Sequence, residues 1–294
     1  MDINRWLPVL VDPETKIKLI FKDDNLINAE GKRYSILNNK PYFLKKVEEE
    51  NFNEQKDRLD KFKTIVKNIL GKYYMLFIYL ISPVIPKIHW GTLSNYFTYY
   101  CKEAIKGKSY AIQIGSGNSR IDKNILNIDI FDYIEVDMVA DCTKLPFADN
   151  SIDCVINYAF LEHVANPEIF IKEAQRVLKQ GGTVISGVPF IQGFHASPND
   201  YTRWTDTGLV SVHERYGFEK QIITPGGGPT SGFLWILQEW LAIALSFNIS
   251  ILYQLWWYFF LVVLMPIKLL DLLLINYKES RKIASFFIYV GAKK

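Results

Sequence analysis

The stretch Ala111-Ile112-Gln113-Ile114-Gly115-Ser116-Gly117-Asn118 constrains this chain more than any other. Strand-like, mostly apolar residues from Tyr110 to Ile114 run straight into a Gly-x-Gly turn. Glycine lets the backbone turn sharply and approach a ligand where a Cβ would stand in the way. In an open parallel sheet, ligands lie beside such turns, at the carboxyl ends of the strands. The residues that follow alternate between strand and helix patterns. Strands are expected at Tyr110–Ile114, Ile125–Ile130, Ile134–Val139, Ile152–Asn157, Thr183–Val188 and Phe218–Ile223, and helices at Pro167–Leu178 and Thr205–Tyr216. This alternation predicts an α/β fold, a parallel sheet with helices on both faces. One departure is plain: seven residues separate Gly117 from the next strand, too few for the long helix that usually follows such a loop.

A chain of 294 residues can hold one full α/β domain plus additions. Its formal charge of +3 comes without a basic run interleaved with aromatics, which argues against nucleic acid as a partner. Cys101, Cys142 and Cys154 are an odd number, widely spaced, with no Cys-x-x-Cys pair. A disulfide framework and a zinc site are both unexpected, and no metal is predicted. The start, Met1-Asp2-Ile3-Asn4-Arg5-Trp6, has no basic-then-apolar leader, so a signal peptide is not expected.

Several short segments follow the glycine turn in a specific order. They are Asn127-Ile128-Asp129-Ile130, Val139-Ala140-Asp141-Cys142 with Leu145-Pro146-Phe147, and Ser151-Ile152-Asp153-Cys154-Val155-Ile156-Asn157. Leu161-Glu162-His163-Val164 and Val177-Leu178-Lys179-Gln180-Gly181-Gly182 complete the set. As a set, over about Tyr110 to Ile223, they resemble the class I S-adenosylmethionine-dependent methyltransferases, specifically the small-molecule branch labelled type 11. The resemblance implies a Rossmann-like, doubly wound sheet of seven strands and S-adenosylmethionine as cofactor. Gln113 departs from it, standing where the family usually carries an acid, and so does Ser119, where a third glycine often lies.

The resemblance also implies a cofactor site. Gly115, Ser116 and Gly117 would approach the methionine part. Asp129, at the end of the second strand, would accept two hydrogen bonds from the ribose diol, which suits a bidentate, acceptor-only carboxylate. Asp141 and Cys142 would meet the adenine, and Asn157 and Tyr158 would line the floor between cofactor and acceptor. Methyl transfer from a sulfonium mainly requires alignment of donor and acceptor, with a general base only for a poorly ionised hydroxyl. His163 and His195 are the candidates for that base. The loop Gly193-Phe194-His195-Ala196-Ser197-Pro198-Asn199-Asp200-Tyr201-Thr202-Arg203-Trp204 follows the fifth strand and should overhang the acceptor side. Asp200, Arg203 and Trp204 are its candidate acceptor-binding residues; a purely structural Asp200–Arg203 network is the alternative.

Outside the core (91–224), residues 1–45 read as a small β-rich module of short apolar runs between turn-prone residues. The module resembles a zinc-ribbon-derived domain, with Asp12 where metal-binding versions carry cysteine, which implies a metal-free structural unit. A helical linker is expected over 46–90, with a charged stretch to Lys72 and an uncharged aromatic one from Tyr73 to Ile85. That stretch is either a core helix or an interfacial segment.

Residues 225–280 are hydrophobic, with no charge from Trp240 to Ile267, and 281–294 read as the last core strand. In the fold the resemblance implies, that seventh strand lies antiparallel inside the sheet. The hydrophobic region is then an insertion between strands six and seven, both ends on the catalytic side. An odd number of membrane crossings is thereby excluded, and two would need about 40 apolar residues. A shallow hairpin or two interfacial helices fits better, with a soluble cap or dimer interface as the alternative. The whole reads as a methyltransferase, cytoplasmic and peripheral or monotopic at the inner membrane face. It would act on a small-molecule or lipid-linked acceptor. A degenerate, non-catalytic binding or scaffold protein is the reading from another class.

Overall fold

The computed structural model describes residues 1–44, 71, 84–195 and 199–294. The expected linker helix and the aromatic stretch from Tyr73 to residue 83 lie outside the described residues. Seven strands form the main sheet: β7 (Ala111–Ile114), β8 (Ile125–Asp129), β9 (Met138–Val139), β10 (Ile152–Tyr158), β11 (Leu178–Pro189), β12 (Phe218–Gly227) and β13 (Phe286–Lys293). Their order is β12-β13-β11-β10-β7-β8-β9. Strands β7 to β11 pair in parallel, whereas β13 pairs antiparallel with both β11 and β12. Strands β7 and β8 are buried at every position, as expected for a parallel sheet covered on both faces.

Helix Tyr96–Ile105 covers one face, packing Phe97 and Cys101 on Ala111, Ile125, Cys154, Ile156, Ile185 and Phe286. Helices Pro167–Val177 and Asp206–Arg215 cover the other, through Phe170, Ile171, Ala174, Leu209 and Val212. Behind the glycine turn, residues 118–124 hold turns and no helix, as their number predicts. Arg120 pins this short connection: it donates to Glu135 through Nε (2.8 Å), to the Glu135 carbonyl (2.7 Å) and to Asp137 (3.1 Å).

Three boundaries differ from the sequence reading. The third strand is only Met138–Val139, because residues 134–137 belong to a turn closed by the Val136 N–H on the Tyr133 carbonyl, leaving Ile134 exposed. The fifth strand begins at Leu178, directly after its helix, where Leu178 pairs with Ile152. The breaker cluster Thr224-Pro225-Gly226-Gly227 does not end the sixth strand, which continues to Gly227. Strand β12 is an edge strand, where a missing Pro225 N–H costs no ladder bond to a second neighbour. A Cβ at Gly226 would lie 2.2 Å from the Phe286 ring, so here glycine serves close packing.

The first residues form a four-stranded antiparallel sheet, β1 (Ile20–Lys22), β2 (Asn25–Ile27), β3 (Arg33–Leu37) and β4 (Lys40–Pro41), and the short strands β5 (Ile88–His89) and β6 (Ser94–Asn95) pair antiparallel just before the core. Buried Asp12 organises it, accepting from the Glu14 and Thr15 amides (2.8 and 2.9 Å), Asn28 (3.1 Å) and the Tyr34 hydroxyl (2.8 Å). The module docks on the core through bridges Leu10–Phe147 and Tyr42–Val139.

Between β12 and β13, helices Pro229–Leu245 and Ser250–Val263 pack against each other. Glu239 accepts from the Tyr253 hydroxyl (2.6 Å) and the Trp257 indole N–H (2.8 Å) across that pair. Asp271 caps the first helix, accepting from the Thr230 and Ser231 amides at 2.8 and 2.7 Å. No residue of the second helix is buried. Among the described residues no single helix is long and apolar enough to cross a membrane; the pair Ser250–Val263 and Met265–Leu274, bent by 43°, passes on length and composition together.

His213, fully buried on helix Asp206–Arg215, donates from Nδ1 to the Leu209 carbonyl at 2.9 Å, and its ring centroid lies 4.2 Å from that of Tyr289. Burial lowers its pKa to about 4. In the unfolded chain it binds a proton near pH 6.5, so between about 6.5 and 4 the unfolded state binds more protons than the folded one. Stability should therefore fall as pH drops through that window, by up to about 3 kcal/mol. Denaturant unfolding of the wild type and His213→Gln at pH 7 and pH 4.5 measures this. The variant should lose less stability over that interval than the wild type.

Candidate active site

The strand ends of β7, β8 and β10 and the loops after them enclose a cleft of about 490 Å³. That is within the range of small-molecule sites. One wall is Gly115, Gly117, Asp129, Asp141, Cys142 and Thr143; the other is Phe160, His163, Val164, Asn199 and Tyr201. Gly115 has φ +65°, and a Cβ there would meet the Phe160 ring at 2.2 Å. Gly117 has φ +52°, and a Cβ there would meet nothing within 4 Å. One glycine is thus required by packing and the other leaves the cleft open beside the turn.

Asp129 is 8% exposed. Its Oδ2 accepts the Gly117 amide at 2.8 Å and its Oδ1 the Phe131 amide at 3.0 Å. These bonds tie the second strand to the glycine turn and hold the carboxylate at the edge of the cleft. Asp141 Oδ1 accepts both the amide and the hydroxyl of Thr143 at 2.8 Å, which leaves Oδ2 for an amino group. Ser116 is buried in the turn and is not part of the lining.

Two expected floor residues lie elsewhere. Asn157 is fully buried between β10 and β11, donating to the Ser186 hydroxyl at 2.9 Å. Tyr158 points to the opposite side of the strand, against Phe97 and Phe286 with ring centroids 4.7 and 5.7 Å apart. Strand alternation accounts for this, and Ala159 and Phe160, past the strand end, take the lining positions. The loop residues are also divided. His163 lines the cleft, whereas His195 sits behind it, its ring 5.4 Å from that of His163 and 5.7 Å from that of Trp235.

Asp200 and Arg203 clasp each other, and Asp200 Oδ2 also accepts the His195 amide at 2.8 Å. Burial raises the Asp200 pKa, but the Arg203 bonds and the His195 amide outweigh it and hold the carboxyl below its ordinary value. Arg203 donates further to the Gly193 and Gln192 carbonyls (2.8 and 3.3 Å), so it shapes the loop and does not reach the cleft. Trp204 packs against the core. The Glu162 carboxylate raises the pKa of His195 above the ordinary histidine value, with burial opposing it. Sequence reasoning missed Tyr201, Asn199, Phe160 and Thr143 as lining residues. Their signal was position alone, immediately after strand ends or inside the polar loop.

This cleft lies at the carboxyl ends of parallel strands beside a glycine turn and a carboxylate, on a seven-stranded α/β sheet whose last strand is antiparallel. Residues 90–186 match the methyltransferase domain family. The glycine turn, Asp129 and Asp141 would suit the amino acid, ribose and adenine of S-adenosylmethionine, the cofactor such a domain implies. Among curated proteins, an uncharacterised Methanocaldococcus jannaschii protein is 34% identical over 28% of this chain and 45% of its own length. A Caenorhabditis elegans sterol 4-C-methyltransferase is 36% identical over 22% of this chain and 19% of its own length. The chain thus spans less than half the length of either relative. A Thermotoga maritima structure described as a possible histamine N-methyltransferase is 16% identical, covering 78% of this chain and 99% of that one with a TM-score of 0.42.

Asp129→Ala removes the carboxylate that faces the cleft and holds Gly117. Hydrogen bonds to charged groups contribute about 1.5–3 kcal/mol, so S-adenosylmethionine should bind roughly tenfold more weakly or worse. Titration calorimetry on the folded variant checks this; unchanged affinity would place the ribose elsewhere.

Proposed function

We propose that this chain is an S-adenosylmethionine-dependent methyltransferase acting at the cytoplasmic face of a membrane on a small or lipid-linked acceptor. The observation that carries the chemistry is the cleft in which Gly115, Gly117, Asp129 and Asp141 face His163, Asn199 and Tyr201. The first group suits the donor, and the second leaves a wall of polar side chains for an acceptor. His163 is the candidate base for an acceptor hydroxyl. Its Nδ1 lies 2.6 Å from the Asn199 carbonyl, which fixes the ring and makes Nδ1 the proton-bearing nitrogen when the ring is neutral.

The membrane part of the reading rests on the helix pair 229–263. Phe233, Trp240, Phe247, Leu255, Tyr258 and Phe259 are all at least half exposed. Large contiguous apolar patches of this kind mark interaction surfaces, and the aromatic content suits a lipid headgroup boundary. Lys278, Arg281 and Lys282 follow the pair and suit an anionic leaflet. Because helix Pro229–Leu245 also brings Trp235 against His195, an acceptor held at that surface would lie near the loop above the cleft.

Two measurements test the reading. Membrane extracts incubated with methyl-labelled S-adenosylmethionine and the full chain should yield labelled lipid or lipid-linked product. His163→Ala should lower that turnover at least tenfold while S-adenosylmethionine affinity stays within about twofold. Equal loss of both would assign His163 to the cofactor. In flotation assays the full chain should bind anionic vesicles, with partial release by salt as Lys278, Arg281 and Lys282 are screened. A monodisperse protein that ignores vesicles would remove the membrane from the reading.

A further inference from the structure

We propose that Glu162, His163 and His195 form a binding site for one divalent transition-metal ion of the zinc class. Glu162 is fully buried, and neither carboxylate oxygen has a hydrogen-bond partner. A buried anion without a partner is costly, and a buried charge is retained when it is paired or coordinates a metal. The groups that face it are two imidazoles. His163 Nε2 and His195 Nε2 each lie 3.7 Å from the same oxygen, Glu162 Oε1, and one ligand atom from each residue falls within 4.8 Å of the others. Ligand atoms bonded to a tetrahedral zinc ion at its usual distances are about 3.4 Å apart, so a small contraction around the ion closes the set.

The far side of each ring supports the assignment. His163 Nδ1 lies 2.6 Å from the Asn199 carbonyl and His195 Nδ1 3.1 Å from the Gly193 carbonyl. A carbonyl only accepts, so each Nδ1 carries the proton. Arg203 Nη2 is 3.3 Å from His195 Nδ1, but it donates to the Gly193 carbonyl (2.8 Å) and to Asp200 (2.6 Å), and its two protons are thereby committed. In the neutral rings both Nε2 lone pairs then point toward a carboxylate, an arrangement of three electron-pair donors around one point. Ligating histidines characteristically donate their other ring N–H to a backbone carbonyl in this way. Two imidazoles and one carboxylate suit zinc, cobalt, manganese or iron in the divalent state. Because His163 also lines the cleft, the ion would sit at its wall; it would take the Nε2 lone pair that in the metal-free chain serves as the base, and leave a coordination position for water or an acceptor oxygen.

The inference stands on the side-chain cluster and does not rest on the methyltransferase reading. Its test is a metal titration of the full chain after chelator treatment and dialysis, followed by visible absorption with cobalt(II). The expected result is a one-equivalent endpoint with nitrogen/oxygen-ligand d–d bands, displaced by zinc(II). Glu162→Gln and His195→Ala should each weaken cobalt binding at least tenfold, with folding checked by circular dichroism. His163→Asn is the independent third variant should either fail to fold. A wild-type chain with no one-equivalent endpoint overturns the proposal and leaves two protonated imidazoles as the partners of Glu162. Intense near-ultraviolet thiolate bands would overturn it too, by placing the ion on cysteine.

Discussion

The antiparallel pairing of β13 between β11 and β12 is the constraint on which the rest of the architecture depends. A strand hydrogen-bonded on both edges cannot be displaced without breaking two ladders, and this one comes from the last residues of the sequence. Everything between β12 and β13 must therefore leave the sheet and return to it. The exposed helix pair is an excursion with both feet on the core, and the Asp271 carboxylate, holding the Thr230 and Ser231 amides, closes the loop at its base. Hydrophobic surface that would disrupt a core is carried outside it without interrupting the domain.

The cleft shows the same economy. Asp129 serves the fold through two backbone amides and at the same time borders the cleft. After β11, Asp200 bonds to Arg203 and to the His195 amide, and the His195 ring lies 5.4 Å from that of His163. Asp200 and Arg203 thus bond within their loop, and Asn199 and Tyr201 of the same loop line the cleft.

Much of this was legible in the sequence because it depends on local patterns. The buried strands of the parallel core are apolar runs, the glycine turn is explicit, and Asp129 stands at a strand end. What escaped reading depends on which way a side chain turns and what meets it across space. Asn157 and Tyr158 are adjacent at a strand end, and alternation sends one between strands and the other onto the far face. Gly226 and Gly227 read as chain breakers, yet they make room for Phe286, sixty residues away in the sequence. Glu162 lay inside the quoted Leu161-Glu162-His163-Val164 segment without a role, since its second histidine neighbour arrives from a different loop.

The missing helix behind the glycine turn has an electrostatic consequence. A helix starting there would set about half a positive charge at its first turn, facing the cofactor. Here no such macrodipole exists, and the cation behind the turn, Arg120, is neutralised by Glu135 and Asp137. The carboxylates of Asp129 and Asp141 then border the cleft with no helix N-terminus opposite them. A sulfonium donor carries a positive charge that its spent thioether lacks, so this acidic bias favours the donor over the product it becomes. On the proposed function, the preference for donor over spent product would lie in the arrangement of groups around the turn, without any moving part.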